Sequence, residues 1–188
     1  MGKSASGKDH IYARLAAHEG LGLKKLVLYT TRPIRAEEEN GKQYYFVDDK
    51  KLEEFRSSGN LIEARAYHTV HGIWNYFTAD DGQVAAGNKS YLGIGTLESY
   101  MQLREYYGDD VMYPVYIQVE DGERLERALA REKTQENPKY EEMCRRFLAD
   151  QMDFSEENIL KAGIGRRFRN HNLDECVKEI GNYIKSVQ

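Results

Sequence analysis

The segment from Gly2 to Lys8 reads G-K-S-A-S-G-K and follows the pattern G-x-x-x-x-G-K. Its glycines let the backbone curl so that successive N–H groups point inward at phosphate oxygens. A helix is predicted directly afterwards, from Ile11 to His18, and its N-terminal dipole favours an anion. Because that helix stands where the motif requires it, a flexible, tag-like N-terminus is the weaker interpretation. We therefore predict a phosphate-binding loop whose ligands include Gly2, Ser4, Ser6, Gly7 and Lys8.

Two features of this segment depart from the usual pattern. Position 9 is aspartate, whereas the usual loop places a Ser or Thr hydroxyl on Mg²⁺ there. Asp9 can bind the metal through water or cap the helix, and we predict capping. The motif should also follow a buried strand, yet only Met1 precedes it. We expect about five to eight further native residues upstream; otherwise the loop is anchored by other means.

The composition of the chain narrows the class of protein. Its 188 residues suit one domain or a core with small lobes. A net charge of −4 argues against an electrostatic nucleic-acid binder, which usually carries a basic excess. Cys144 and Cys176 fit no metal or disulfide framework, and no apolar run approaches ~18 residues. These features predict a cytoplasmic protein without a membrane span.

The hydrophobic pattern alternates between strands and helices. Strands are predicted at Lys24–Thr30, Tyr44–Val47, Leu61–Phe77 with interruptions, Ser90–Ile94, Val111–Val119 and around Phe168. Helices are predicted from Asp48 or Asp49 to Arg56, from Thr96 to Tyr107, from Asp121 to Asn137, from Lys139 to Leu148, and from Leu173 to Val187. Such alternation predicts an α/β fold with a mostly parallel sheet flanked by helices. His68 and His71 are interpreted as surface polar residues, so no protein metal ligand is predicted.

A second constellation follows the first predicted strand. The sequence reads T-T-R-P-I-R from Thr30 to Arg35, then carries Glu38, and continues as Y-Y-F-V from Tyr44. Two arginines three positions apart can form a fork for one phosphate, because guanidinium geometry suits bidentate contacts to oxyanions. A solvated basic turn is the alternative interpretation of these residues alone.

At this point the sequence resembles guanylate kinases. Their acceptor segment has the form S-x-T-T-R-x-x-R-x-G-E-x-x-G-x-D-Y-x-F-V, and this chain reads L-Y-T-T-R-P-I-R-A-E-E-E-N-G-K-Q-Y-Y-F-V. The similarity continues through the L-I-E ending at Glu63, the segments 119–131 and 145–150, and Asn170. It implies a P-loop kinase fold with a core (1–31 and 81–188), an acceptor-binding lobe (about 32–80) and a helical lid (about 131–150).

The resemblance also implies an activity and its donor site. The reaction would be transfer of the γ-phosphate of ATP, with Mg²⁺, to a nucleoside monophosphate, most simply GMP to GDP. Lys8 would act with Arg131 and Arg146 of the lid, neutralising charge on the transferred group. Asn170 would lie near the adenine of ATP.

The acceptor residues follow from the same resemblance. Arg32, Arg35 and Tyr44 would hold the acceptor's phosphate, and Glu63 would read the guanine edge. Tyr76 would correspond to a second phosphate-binding tyrosine, although Phe77 competes for that position.

The departures from the family concern the base-reading residues. The family's serine four residues before the first acceptor arginine is Leu28 here, and the two aspartates of its I-L-D-I-D segment are Gly93 and Gly95. Thr96 or Glu98 could substitute for the second aspartate.

Two alternatives therefore stay open beside a guanylate kinase: a kinase of the same fold with another phosphate-bearing acceptor, and a degenerate module that binds a partner without catalysis. The persistence of Lys8, Arg131 and Arg146 favours an enzyme.

Overall fold

The computed structural model of the protein describes residues 1–69, 72–85 and 89–188. It contains helices and short strands in alternation. The helices are α1 (Lys8–Ala16), α2 (Asp49–Ser57), α3 (Leu97–Tyr107), α4 (Asp121–Lys133), α5 (Tyr140–Asp153), α6 (Glu156–Lys161) and α7 (Leu173–Val187). The strands are β1 (Lys24–Lys25), β2 (Leu28–Thr30), β3 (Tyr44–Phe46), β4 (Leu61–Thr69), β5 (Gly72–Ala79), β6 (Tyr91–Leu92), β7 (Tyr116–Gln118) and β8 (Arg167–Arg169). Short 3₁₀ turns occupy Glu19–Leu21 and Asp109–Val111.

The strands form three groups. β1 pairs with β6 and β7 pairs with β8, both in parallel. The third group has the order β3-β2-β5-β4; β2 is parallel to β3, whereas β5 is antiparallel to both of its neighbours. The fold is therefore mixed α/β, and its antiparallel pairs all involve the β4–β5 hairpin.

The segment predicted as one strand, Lys24–Thr30, is two strands in different groups. Between them, the backbone N–H of Val27 donates to the side-chain oxygen of Gln83 at 3.1 Å, and the Val27 carbonyl accepts from the same amide at 3.0 Å. A glutamine side chain thus supplies the bonds that a neighbouring strand would supply, and the ladder is interrupted there.

The helix boundaries predicted from the sequence agree best with the structure where a side chain caps the first turn. Asp48 accepts from Lys51 N at the start of α2, and Thr96 and Ser99 form a reciprocal capping box at α3. α7 spans Leu173–Val187, as predicted. The predicted strand Val111–Val119 is wrong in length, because only 116–118 pair with β8. α6 was not predicted.

Three buried clusters hold the elements together. The first joins α1, α7, β7 and β8 through residues such as Ile11, Ile117 and Phe168. The second packs α3 and α6 around Tyr116 and Phe154. The third lies under the β4–β5 hairpin and contains Tyr29, Leu52, Phe55, Phe77 and Ala79. The predicted acceptor segment therefore packs in a cluster separate from the other two, together with Tyr29 of β2. None of the helices in the described ranges is long and apolar enough to cross a bilayer.

Candidate active site

The phosphate-loop segment packs tightly against β7. A Cβ on Gly2 would stand 2.7 Å from the Ile117 carbonyl oxygen, and a Cβ on Gly7 would stand 2.4 Å from the Asn170 side-chain nitrogen. The Met1 carbonyl accepts from Ile117 N at 3.0 Å, and its amino group donates to the Val115 carbonyl at 2.8 Å. Backbone bonds from Met1 to one edge of β7, in the pattern of a parallel ladder, therefore anchor the loop.

Asn170 supports the loop from behind. Its amide nitrogen donates to the Ser6 carbonyl at 2.8 Å, and its backbone N–H donates to the Gln118 carbonyl. The Ser6 hydroxyl and the Asn170 side-chain oxygen are buried and have no hydrogen-bond partner within the described residues. A buried polar atom without a hydrogen-bond partner costs free energy. These two groups are therefore available to hydrogen-bond a ligand or a water molecule beside the loop.

Gly7 is the N-cap of α1, with φ 82°, and Lys8 begins the helix. The prediction that Asp9 caps the helix is wrong, because Asp9 lies inside the first turn and makes no capping bond. Its exposed carboxylate is 3.6 Å from the Lys8 ammonium. A negative charge in the first turn still stabilises the helix through its dipole.

The lid arginines of the sequence-based prediction lie on two helices that pack together. Arg131 is in the last turn of α4, and Arg146 is in the middle of α5. Both side chains line a small cavity whose wall also includes Ser4 of the phosphate loop and Phe147. The structure thus brings these two cations and the loop to one place.

A buried arginine and a carboxylate lock that arrangement. Arg124 is almost fully buried, donates to the Ser4 carbonyl at 2.9 Å and to Asp121 at 2.8 Å, and lies 4.6 Å from the centre of the Phe147 ring. Asp150 of α5 accepts from Ser4 N at 2.7 Å. One loop residue is therefore tied to both α4 and α5.

The predicted acceptor arginines differ in their surroundings. Arg32 is buried, and its guanidinium donates to both oxygens of Glu38, at 2.7 and 2.9 Å. This hydrogen-bonded pair lowers the pKa of Glu38 and raises the pKa of Arg32. Arg35 is exposed, and its backbone N–H donates to Glu38 at 2.9 Å. One arginine is fixed in place and the other remains accessible to solvent.

The two predicted tyrosines contact each other beside Arg32. The rings of Tyr44 and Tyr76 lie edge to face with centroids 5.5 Å apart, and Arg32 donates to the Tyr76 hydroxyl at 3.2 Å. Burial raises the pKa of Tyr44, and the charge interactions with Tyr76 and Asp9 add to this rise, whereas those with Arg32 and Arg65 oppose it. The acceptor cluster is therefore in electrostatic range of the helix that follows the phosphate loop. Phe77, the competing position, is fully buried in the core.

Glu63 lies on β4, two residues before Arg65, which stands opposite Tyr76 in the β4–β5 ladder. A break in register between Leu61 and Glu63 sets Glu63 opposite Thr78, and the Thr78 hydroxyl donates to its carboxylate at 2.7 Å. Such bulges often re-aim a side chain near a site. The other oxygen accepts from Arg65 Nε at 3.0 Å, and Arg65 also contacts the Thr96 hydroxyl at 3.4 Å.

Gly95 stands where the family has an aspartate, and a side chain at this position would require Ser99 to move. A Cβ at this position would stand 2.4 Å from the Ser99 hydroxyl oxygen, which is held by the capping box of α3. Thr96 reaches Arg65, whereas Glu98 is exposed on α3. Leu28 is buried in β2.

Sequence reasoning missed four of these residues: Arg65, Thr78, Arg124 and Asp150. Arg65 had a usable signal, because residues two apart on a strand share a face and Glu63 was already a candidate. Arg124 and Asp150 contact a loop residue more than a hundred positions away, which no local pattern indicates. No cluster of three or more potential metal-ligating side chains occurs in the part of the chain that the structure describes, and His71 lies outside it.

Comparison with known proteins decides the family. A sequence model of the family described as Guanylate kinase matches residues 1–186. The chain belongs to the guanylate kinase family. A guanylate kinase of Rhodopseudomonas palustris (strain BisB18) is 27% identical over 184 residues, covering 97% of this chain and 78% of the relative. A guanylate kinase of Porphyromonas gingivalis (strain ATCC BAA-308 / W83) is 26% identical over 180 residues, covering 94% and 89%.

The fold agrees with this assignment. The crystal structure of guanylate kinase from Anaplasma phagocytophilum matches with a TM-score of 0.67 and 20% identity, covering 100% of this chain and 84% of that one. The prediction of a P-loop kinase fold of the guanylate kinase type is confirmed.

Proposed function

We propose that this chain transfers the γ-phosphate of ATP to GMP, giving ADP and GDP, and that it does so in the cytoplasm. The observation that carries the proposal is the cavity where Ser4 of the phosphate loop meets Arg131 and Arg146 from two lid helices. Two cationic side chains beside a phosphate loop suit a polyanionic ligand such as a triphosphate. Both cysteines are free, which suits a reducing compartment.

The loop fits the phosphates of ATP. Gly2 and Gly7 leave no room for side chains, because Ile117 and Asn170 stand where a Cβ would lie, so the loop packs closely against these two residues. The buried Ser6 hydroxyl needs a partner, which a phosphate oxygen would supply. Gly2, Ser4, Ser6, Gly7 and Lys8 would hold the phosphates. Mg²⁺ would neutralise charge on the β- and γ-oxygens. Asp9 stands where the usual loop has a hydroxyl and would contribute to holding that metal through water. Asn170 supports the loop, and a contact with the adenine of ATP stays part of the proposal.

Catalysis would rest on charge and position. Phosphoryl transfer proceeds with little covalent participation by the protein, so stabilisation of charge on the transferred group is the main task. Lys8, Arg131 and Arg146 would supply it, and the segment 131–150 would act as the lid. Both lid arginines are exposed in this structure and free to turn toward bound phosphates.

The lobe formed by residues 32–80 would hold the acceptor. Arg32 is oriented by Glu38 and Tyr76, so its direction is set before the ligand arrives. Arg35, Tyr44 and Tyr76 would complete the phosphate site, and Glu63 would belong to the base site. A pre-oriented site spends less binding energy on ordering side chains.

Replacement of Lys8 tests the proposal. Lys8→Ala should lower kcat by about two orders of magnitude, because a cation beside the transferred group is lost. Lys178→Ala, an exposed lysine on α7, is the matched control and should leave kcat unchanged. Equal turnover in Lys8→Ala and wild type would remove Lys8 from the mechanism and favour the binding-module alternative.

A further inference from the structure

Two guanidinium groups meet beside the phosphate loop without holding each other there. Arg131 of α4 and Arg146 of α5 line the same small cavity as Ser4, and both residues are exposed. Neither guanidinium forms a hydrogen bond or an ion pair within the ranges that the structure describes. Because like charges at one cavity repel each other, their places must be set by other contacts between the helices and the loop.

Asp150 supplies such a contact for α5. Its carboxylate accepts a hydrogen bond from the Ser4 backbone N–H at 2.7 Å and lies 3.4 Å from the Arg124 guanidinium. The Asp150 side chain is 15% exposed and that of Arg124 is 1% exposed, so water screens these contacts weakly. Among the described residues, no other α5 side chain hydrogen-bonds the backbone of the loop Gly2–Lys8.

The geometry of the helix transmits this contact to Arg146. Asp150 follows Arg146 by four positions, about one turn, so the two side chains leave the same face of α5. Phe147 lies on this face as well, with its ring centre 4.6 Å from the Arg124 guanidinium carbon. Asp150 and Phe147 therefore fix one end of the face, and Arg146 lines the cavity from the next turn.

We propose that Asp150 is a positioning residue for phosphoryl transfer, which acts by holding Arg146 at the phosphate loop. This inference rests on the proposed function and adds a residue to the machinery of the same site. The Asp150 carboxylate does not contact the nucleotide, because its negative charge would repel phosphate oxygens. A displacement of about 1 Å in a group that acts on the reacting atoms can cost on the order of 100-fold in rate. Loss of the contact with Ser4 should therefore appear in kcat.

Asp150→Ala gives the first test. The kcat of GDP formation from ATP and GMP should fall by about 10- to 100-fold, because Arg146 is no longer held in place. KM for GMP should stay within about threefold of wild type, since Asp150 is not part of the proposed acceptor site. Glu141→Ala, which removes an exposed carboxylate from the first turn of α5, is the matched control and should keep the wild-type kcat. An unchanged kcat in Asp150→Ala would overturn the inference.

The conservative variant Asp150→Asn separates the hydrogen bond from the charge. Its amide oxygen can still accept from the Ser4 N–H, so most of the rate lost in Asp150→Ala should return. A kcat as low as that of Asp150→Ala would overturn the inference. If the carboxylate instead competes with ATP for the Ser4 N–H, Asp150→Ala would lower KM for ATP and leave kcat unchanged, which would also overturn it.

A double-mutant cycle tests whether Asp150 acts through Arg146. In an Arg146→Ala background, Asp150→Ala should lower kcat by less than about threefold, because the group to be positioned is gone. Urea unfolding checks that each variant is folded, and Asp150→Ser, which keeps a small polar side chain, replaces any Asp150→Ala protein that is not. Wild-type turnover with the same fold loss in both backgrounds would overturn this inference alone. Absence of GDP formation by the wild-type protein would overturn the proposed function and this inference with it.

Discussion

At the scale of single residues, Ala5 occupies a conformation that suits glycine. Its φ of 60° makes it the one non-glycine residue with positive φ among those described. The left-handed region costs an L-residue about 1–2 kcal/mol, because its Cβ crowds the following carbonyl oxygen. Backbone strain at Ala5 in the phosphate loop therefore lowers the stability of the fold, and such strain often accompanies function.

Ala5→Gly should stabilise the protein by about 1 kcal/mol in urea unfolding, since the relieved strain exceeds the added entropy of the unfolded chain. The matched control is Gly22→Ala, at φ 58° with no neighbour within 4 Å of the added methyl. It should destabilise the protein by a similar amount. Two changes of the same sign would contradict the assignment of strain to Ala5.

The ion pair between Arg32 and Glu38 makes stability depend on pH. Arg32 holds the pKa of Glu38 below its ordinary value of about 4.3. The unfolded state then binds the proton more readily, so this contribution is present above that value and is lost as pH falls through the folded pKa.

Glu38→Gln should destabilise the protein by about 1–3 kcal/mol at neutral pH, because a buried guanidinium loses its charged partner. The difference from wild type should begin to shrink as pH falls below about 4.3, the ordinary pKa of glutamate, and should be lost once pH falls through the lower pKa of Glu38 in the folded protein. Glu39→Gln, in the exposed pair with Lys42, is the control and should stay near wild type. A destabilisation by Glu38→Gln that is constant across this range would contradict the account.

At the scale of elements, the α4–α5 pair depends on Arg124. Its guanidinium joins the Ser4 carbonyl to Asp121 and lies against Phe147. Arg124→Met should lower the free energy of unfolding by at least about 2 kcal/mol, because the loop carbonyl and a carboxylate lose their donor. Urea unfolding measures this.

Arg145→Met provides the comparison on the neighbouring helix. Arg145 pairs with Glu142 on the exposed face of α5, with 66% of its side chain accessible. Such pairs contribute about 0–1 kcal/mol, so this variant should differ little from wild type. Equal effects of the two substitutions would mean that Arg124 does not link the loop to the helices.

Elements with local signals were predictable from the sequence. α2 and α3 begin at capping residues, Asp48 and Thr96, whose side chains act within three positions. The split of Lys24–Thr30 was not predictable, since the interrupting group is Gln83, 56 positions from Val27. Likewise, family resemblance located Glu63, but only the structure shows that Arg65 occupies its carboxylate.

At the scale of the whole molecule, the two thiols should report on packing. Cys144 is exposed on α5, whereas burial raises the pKa of Cys176 to about 11. Because the thiolate is the reactive form, Ellman's reagent should modify one thiol quickly in the native protein and the second only after unfolding. Cys144→Ser should abolish the fast phase. Two fast thiols in the native protein would contradict the packing of α7 against α1.

The central claim joins the phosphate loop, the lid arginines and the acceptor lobe into one phosphotransferase. Its most direct measurement is the product balance of a reaction containing the protein, ATP, Mg²⁺ and GMP, with nucleotides separated and quantified over time. The account predicts that ADP and GDP appear in equal amounts and that neither forms at this rate without GMP. ADP formation without GDP, or no turnover of either nucleotide, would contradict it.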